Sequence, residues 1–256
     1  MQNFAPVAEA ALDACGDFIR PYFRNKTASV QKADFSPVTA ADKGAEELLR
    51  RVLSAAFPDF GILGEEFPPH RPDAKYLWVI DPIDGTRAFI TGRPSFCTLL
   101  GLLEDGVPFL GYIDQPITGE RWKGGVAEPA RFRGNFGGAI GTRTVRFLRE
   151  AELSSTAPEM LGDGAVRFAK LQAKCKRMYW GGDAYAYGLL ALGQIDIVAE
   201  WGLKVWDWAA LAPVIEAAGG VVTDWAGQKL RLGCDGSVLA AANPALHAAA
   251  LEALNS

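Results

Sequence analysis

Two aspartates three residues apart give the strongest chemical signal in this sequence. Residues 81–86 read D-P-I-D-G-T and follow the continuous apolar run 76–80, which predicts a buried strand. The proline fixes its φ angle and the glycine permits a tight bend, so Asp81 and Asp84 can converge where the chain turns. Convergent carboxylates are the ligands that a hard cation such as magnesium needs. The spacing therefore indicates a candidate metal site.

The same turn offers a place for an anion. When the chain bends there, the backbone N–H groups of Gly85 and Thr86 are well placed to receive a phosphate oxygen. A purely structural alternative is a strand that ends in an Asp-Gly turn with a proline before it. The full six-residue string after a buried strand is more specific than a D-P-x-D pattern alone.

Five other acidic residues are candidates, and each also has a structural explanation. Glu65 stands in a G-E-E string, and glutamate pairs are usually solvated. Asp42 completes a capping-box pattern at the start of a predicted helix, and Asp207 can cap the helix that follows it. Asp183 follows two glycines and can cap a helix, while Glu200 follows an apolar strand and can be solvent-exposed. A residue can cap a helix and still serve a site.

The composition disfavours several classes of protein. The chain has 256 residues, a net charge of −4 and a pI of about 5.3, whereas nucleic-acid binders usually carry a basic surplus. Only His70 and His247 are present, so catalysis is expected to rest on carboxylates. No segment is apolar over the length of a bilayer, and no signal peptide is recognisable. The four cysteines are far apart, which is typical of reduced thiols in a cytoplasmic protein.

Hydrophobic periodicity divides the chain into two halves. Helices are predicted over 4–19 and 40–56, and meandering strands follow them. The second half alternates between strands and helices, which indicates a layered α/β arrangement, and the glycine-rich segment 134–141 marks a border. We predict an α/β protein with an α+β first half, organised as domains 1–135 and 136–256. In the second half, strands are predicted near 176–179, 195–199, 220–223 and 238–242, and helices near 164–173, 184–192, 208–218 and 244–254.

Together these strings resemble the inositol monophosphatase family of metal-dependent phosphatases. The resemblance covers almost the whole chain and implies a layered αβαβα sandwich with the site between its halves, where strand ends and helix N-termini meet. Family members are commonly homodimers. The matching strings are G-E-E at 64–66, W-V-I-D-P-I-D-G-T at 78–86, G-G-D-A at 181–184, the segment 200–207, W-D-W-A-A at 206–210 and G-G at 219–220.

The resemblance implies a role for each candidate residue. Two or three magnesium ions are expected, and Thr86 and Asp42 are expected to help deprotonate the attacking water, aided by the metal on Glu65. The backbone N–H groups of Gly85 and Thr86 are expected to hold the phosphate. The implied metal ligands are Glu65, Asp81, the Ile83 carbonyl, Asp84 and Asp207. The implied substrate contacts are Asp84, Gly85, Thr86, Asp183, Glu200 and Asp207.

Within that family the chain is most similar to the histidinol-phosphate phosphatases. The strings that carry this similarity are T-R-A-F-I-T-G at 86–92, G-Y-I-D-Q-P at 111–116, E-R-W at 120–122 and G-G-D-A-Y-A-Y at 181–187. Inositol phosphatases tend to carry Asn and Thr where this chain has Ala88 and Asp183. Histidinol phosphate carries an ammonium group and an imidazole, so anionic Asp183 and Glu200 are candidates to select it, with Trp201 stacking nearby.

The predicted function is therefore hydrolysis of a small phosphorylated metabolite, with histidinol phosphate in histidine biosynthesis as the leading substrate. The alternatives are a broad inositol or sugar monophosphatase, a nucleotide 3′-phosphatase, and a non-catalytic binding protein on a phosphatase fold. Phosphatases with a nucleophilic aspartate use a D-x-D pair, whereas two residues separate Asp81 and Asp84 here. Lys32, in the polar stretch 25–37, is a further candidate for a lid over the third metal.

Overall fold

The computed structural model of the chain describes residues 4–25, 29–31, 37–126 and 128–256, without the side chains of 29–31 and 37–39. In these ranges the α-helices are α1 (Ala5–Ile19), α2 (Ala40–Ala56), α3 (Thr86–Ile90), α4 (Ala165–Gln172), α5 (Asp183–Ala191), α6 (Val205–Trp208), α7 (Leu211–Ala217) and α8 (Pro244–Asn255). The strands of the first half are β1 (Ser29–Gln31), β2 (Pro37–Thr39), β3 (Gly61–Gly64), β4 (Tyr76–Asp84), β5 (Cys97–Glu104), β6 (Val107–Gln115), β7 (Glu120–Gly125) and β8 (Glu128–Arg133). Those of the second half are β9 (Glu152–Ser155), β10 (Arg177–Trp180), β11 (Ile197–Glu200), β12 (Val221–Thr223) and β13 (Val238–Ala241).

Two main sheets carry the fold. The first has the order β3-β4-β5-β6-β7-β8, in which β3 and β4 are parallel and every later pair is antiparallel. The second has the order β10-β9-β11-β13-β12, in which β9, β10 and β11 run parallel. Because parallel neighbours end at the same edge, each sheet presents the carboxyl ends of neighbouring strands together. The short β1 and β2 form a separate antiparallel pair.

The fold has five layers, and three apolar cores lie between them. Helices α1 and α2 cover one face of the first sheet, with Leu12, Leu49 and Trp78 fully buried between them. Helices α5 and α7 fill the space between the two sheets. Helices α4 and α8 cover the far face of the second sheet, around Leu153 and Leu246. The αβαβα sandwich that the resemblance implies is therefore confirmed.

Several elements differ from the sequence prediction. Strand β4 continues to Asp84 instead of ending at position 80. The helix predicted over 208–218 is split into α6 and α7, because Pro213 has no backbone N–H and is tolerated only in a first helical turn. Strand β9 was not predicted, since its four residues E-L-S-S carry little apolar signal and become buried only as a central strand.

The division into 1–135 and 136–256 stays a prediction. The two main sheets fall on opposite sides of that boundary, but α7 packs directly against β6 and β7 of the first sheet. Along the described ranges, none of the helices combines the length and apolarity that crossing a membrane requires. Lys32 lies outside the described residues.

Candidate active site

An irregularity in β4 brings its two aspartates to one side of the strand. In a regular strand, residues three apart point to opposite faces. Here Asp81 pairs with Leu99 but Asp84 pairs with Cys97, so β4 contains one extra residue, and the pairing register shifts. Such a bulge changes the alternation of faces by one residue and re-aims the side chains that follow. The Thr98 hydroxyl donates to the Pro82 carbonyl at 2.8 Å and so fixes the bulge from β5.

The neighbouring strand supplies the next carboxylate. Gly64, the last residue of β3, is in register with Ile80 of the parallel strand β4. Glu65 therefore leaves the sheet beside Asp81, and its negative charge helps to raise the pKa of that aspartate. Asp42 acts on Asp81 in the same way from the first turn of α2, where it is 1% exposed.

Asp207 reaches the same place from the second half of the chain. It is the third residue of α6, and its Oδ2 accepts a hydrogen bond of 2.7 Å from the Lys204 N–H, which caps the helix. One carboxylate oxygen from each of Asp81, Asp84 and Asp207 lies within 4.8 Å of the other two. Asp207 therefore caps α6 and also belongs to this acidic cluster.

The electrostatics of this cluster suit a bound cation. Burial, reinforced by the neighbouring carboxylates, raises the pKa of Asp81 and of Asp84 well above the usual range of aspartate. Burial also raises the pKa of Asp207 to about 7, and the charge of Glu65 adds to the rise. A divalent cation among these oxygens would offset both the burial and the mutual repulsion that raise these pKa values. All donors are hard oxygens, and ligands of one octahedral magnesium ion lie roughly 3–4 Å apart, so the residues fit this ion.

The turn after Asp84 is shaped by a glycine and by a contact from the second half. Gly85 has φ 82°, a conformation that favours glycine. A Cβ atom at this position would lie 3.0 Å from the Asp183 side chain, so that carboxylate packs directly on the turn. Asp84 Oδ2 accepts a hydrogen bond of 2.6 Å from the Ala184 N–H, which joins the two halves at the site. The Thr86 hydroxyl donates to the Ile83 carbonyl at 3.2 Å.

The carboxyl ends of β9, β10 and β11 form the opposite side of the site. Glu200 ends β11 and is 2% exposed rather than solvated. Its Oε2 accepts a bond of 3.0 Å from the Ser155 hydroxyl. Its Oε1 accepts bonds of 2.8 and 2.9 Å from the Thr156 N–H and hydroxyl. Burial raises the pKa of Glu200 to about 7, although these hydrogen bonds oppose the rise.

Asp183 stands at the start of α5 in an unusual backbone conformation. Its φ is 44°, which is uncommon for a residue other than glycine and occurs most readily with Asp and Asn. Burial raises its pKa to about 6, while the charges of Arg87 and Arg93 oppose the rise. Asp183 therefore lies between the turn at Gly85 and the positive charges of Arg87 and Arg93.

Trp201 packs against Trp225, with ring centroids 5.0 Å apart, and lies close to Gly164. Its stacking on a substrate stays a prediction. The sequence analysis did not identify Ser155 and Thr156, the two residues that donate hydrogen bonds to Glu200. Their only sequence signal is a polar pair after two residues of weak strand character, which is common in loops.

The sequence profile of the inositol monophosphatase family matches residues 1–256. The chain belongs to the inositol monophosphatase family. This family consists of magnesium-dependent phosphatases that act on small phosphorylated substrates. The acidic cluster of Asp81, Asp84 and Asp207 thus occurs in a chain whose family needs a divalent metal.

Relatives within the family carry different names. A chloroplastic bifunctional phosphatase of Arabidopsis thaliana is 43% identical over 99% of this chain and 75% of its own length. The histidinol-phosphatase of Mycobacterium tuberculosis is 37% identical over 88% of this chain and 86% of its own. The solved structure of an inositol monophosphatase from Zymomonas mobilis is 47% identical, with a TM-score of 0.89 over 98% of this chain and 97% of that one. Family membership therefore leaves the substrate open.

Proposed function

We propose that the chain hydrolyses L-histidinol phosphate to L-histidinol and phosphate, in histidine biosynthesis, with two or three magnesium ions per site. The observation that carries this proposal is a pair of neighbouring carboxylates: half-buried Asp183, which packs on the turn at Gly85, and buried Glu200. A leaving group that carries an ammonium group and an imidazole is the natural partner for such a pair, because both carboxylates keep their charge best next to a cation. The proposal is also supported by the 37% identity between this chain and the histidinol-phosphatase of M. tuberculosis.

The chain's own residues divide the work of hydrolysis. In the proposed mechanism, the ions are held by four carboxylates and one main-chain carbonyl, which are those of Glu65, Asp81, Asp84 and Asp207 and that of Ile83. Magnesium, when bound, neutralises phosphoryl charge and makes water a better nucleophile near neutral pH. Backbone N–H groups of Gly85 and Thr86 hold the phosphate, and Asp84 and Asp207 also border it.

Proton removal from the attacking water is assigned to Thr86 and Asp42. Asp42 is buried and its charge acts on Asp81, which supports a position beside the reacting group. The Thr86 hydroxyl is oriented by the Ile83 carbonyl at 3.2 Å. Water attacks the phosphorus in line with the leaving oxygen, and the bond from phosphorus to the histidinol oxygen breaks. The released oxygen takes a proton from solvent water, and no phosphoenzyme forms.

Replacing Asp183 by asparagine is expected to raise KM for histidinol phosphate about 10- to 100-fold. A hydrogen bond to a charged group is worth about 1.5–3 kcal/mol, and each 1.4 kcal/mol corresponds to about tenfold. Asparagine also accepts a positive φ, so the backbone at 44° is retained. The measurement is KM for histidinol phosphate and for inositol phosphate with the same two proteins.

Inositol phosphate is the internal control because it lacks a cationic group. Its KM should change less than about threefold in the Asp183→Asn variant, since no charged hydrogen bond to the leaving group is lost. Equal losses on both substrates would mean that Asp183 shapes the turn at Gly85 without recognising the leaving group. Glu200→Gln should show the same selectivity, because its amide oxygen still accepts from Thr156 and its amide N–H donates to the Ser155 hydroxyl oxygen.

An inositol or sugar monophosphatase is the second candidate, favoured by the likeness to the Zymomonas mobilis structure. The deciding experiment is phosphate release, with magnesium, from histidinol phosphate, inositol phosphate, a nucleotide 3′-phosphate and several sugar phosphates. A kcat/KM for histidinol phosphate about 100-fold above the others, equal to about 2.7 kcal/mol, supports the histidinol assignment. Flat or inositol-favouring activity discards it, and no release from any substrate favours a non-catalytic binding protein.

We also propose that the chain is a cytoplasmic homodimer. Tyr179 and Trp180 on the edge strand β10 are 46% and 40% exposed and line an open cleft of about 460 Å³, which is a surface that a second copy would cover. The unpaired state of all four cysteines fits a reducing compartment. Light scattering after size-exclusion chromatography should give twice the 27.5 kDa of one chain, and a mass of one chain discards the dimer.

A further inference from the structure

A buried glutamate outside the acidic cluster organises the turn that carries Glu65. Glu46 lies one helical turn after Asp42 on α2, and its side chain is 0% exposed. Its Oε2 accepts a hydrogen bond of 2.7 Å from the Glu66 N–H. Its Oε1 accepts a bond of 2.7 Å from Arg50 Nε, which lies one turn further along the same helix.

The same arrangement fixes the chain on both sides of Glu65. Arg50 Nη2 donates to the Phe67 carbonyl at 3.1 Å, so the pair holds residues 66 and 67. On the other side, a Cβ atom at Gly64 would lie 2.2 Å from Glu46 Oε1. The carboxylate therefore occupies the space where a side chain at position 64 would be, and only glycine permits this approach.

Packing alone does not explain this use of a charged side chain. Moving a carboxylate out of water costs several kcal/mol, and an apolar replacement of a buried ion pair is often neutral or stabilising. What an apolar side chain cannot do is accept from a main-chain N–H and so fix the direction of the turn. Since Asp42 and Glu46 lie on one face of one helix, α2 sets the positions of Asp42 and of the Glu65 turn together.

We propose that Glu46 is a positioning residue, which through Glu66, Phe67 and Gly64 holds Glu65 in the direction needed to bind a divalent cation beside Asp81. This inference rests on the proposed function, in which Glu65 is a metal ligand. Residues that orient the ligands of a metal typically change its affinity about 10- to 100-fold when they are replaced. Glu46 touches neither the substrate nor the reacting atoms in this assignment.

The test is Mg²⁺ binding to the EDTA-treated full-length protein, followed by isothermal titration calorimetry. Glu46→Gln keeps the shape of the side chain but cannot accept from both the Glu66 N–H and Arg50. Its Mg²⁺ dissociation constant is expected to rise at least about tenfold, and its activity should recover in part at high Mg²⁺. The matched control is Glu47→Gln, the next residue of α2, which is exposed and should bind Mg²⁺ like the wild type.

The melting temperature of the metal-free proteins is measured beside the Mg²⁺ affinity. Weaker Mg²⁺ binding at an unchanged melting temperature supports a positioning role for Glu46. Unchanged Mg²⁺ affinity in Glu46→Gln overturns the proposal, whether or not its melting temperature falls. If Glu46→Gln does not fold, Arg50→Lys serves instead, because it keeps the charge but loses the forked contact with Glu46 and Phe67, and it too should weaken Mg²⁺ binding. A wild-type protein that binds no Mg²⁺ contradicts the proposed function itself.

Discussion

Asp207→Asn is expected to lower kcat/KM for phosphomonoesters about 1000-fold or more while making the metal-free protein more stable. The substitution removes the charge of one of the three carboxylates that have oxygens within 4.8 Å of each other. Activity falls because a metal held by these carboxylates supplies several kcal/mol of transition-state stabilisation. About 4 kcal/mol corresponds to about 1000-fold in rate. Asparagine keeps an oxygen for the Lys204 N–H, so the start of α6 is retained.

The gain in stability follows from the pKa of Asp207. In the folded protein burial raises it to about 7, whereas aspartate in an unfolded chain has a pKa of about 3.9. The folded state therefore prefers the protonated carboxyl, and its stability falls as the pH rises from about 4 to about 7 and then levels off. Asparagine is neutral at every pH, so it removes this loss.

Thermal unfolding in EDTA at several pH values measures the effect. The melting temperatures of wild type and Asp207→Asn should agree near pH 4 and diverge as the pH rises to about 8, with the variant higher. Each kcal/mol corresponds to about 2–4 °C in a chain of this size. Magnesium should then stabilise the wild type more than the variant, because only the wild type binds it fully.

The exposed Asp163 provides the control, since Asp163→Asn changes the same charge away from the cluster. This variant should keep both activity and the pH dependence of the wild type. An Asp207→Asn protein that retains activity, or that melts below the wild type at mildly alkaline pH without metal, contradicts the assignment of Asp207 to the metal cluster.

Thr86→Val should lower kcat by about 100-fold or more with little change in KM. General acid–base groups contribute about 10²- to 10⁴-fold, and valine matches the shape of threonine without its hydroxyl. The hydroxyl lost is the one that donates to the Ile83 carbonyl at 3.2 Å, within the turn that is proposed to hold the phosphate. The backbone N–H groups of that turn remain, so binding of the phosphate is preserved.

Thr91 at the end of α3 gives a matched control. Its hydroxyl also donates to a backbone carbonyl, that of Arg87 at 2.8 Å, but it lies away from the acidic cluster. Steady-state kinetics at saturating magnesium should show full activity for Thr91→Val and restored activity for Thr86→Ser. If Thr86→Val and Thr91→Val behave alike, Thr86 has no part in proton transfer.

Local sequence determined much of this protein. The periodicity of residues 4–19 and 40–56 predicted α1 and α2 nearly to the residue, because one apolar face of a helix repeats within a few turns. The hairpin between β5 and β6 is also a local feature, because it turns at Asp105 and Gly106, which both have positive φ. The string at 81–86 and the family resemblance indicated an acidic metal site from residue types and spacing alone, and the chain does belong to that family.

The burial and direction of single side chains were decided by tertiary structure alone. A strand pattern does not reveal the bulge that turns Asp81 and Asp84 to one side, because the bulge is fixed by pairing with β5 and by Thr98. Glu200 looked like an exposed strand end, yet Ser155 and Thr156 enclose it, since parallel strands far apart in sequence end at one edge. Contacts across 44 or 45 residues leave no local signal, so only the folded chain sets them.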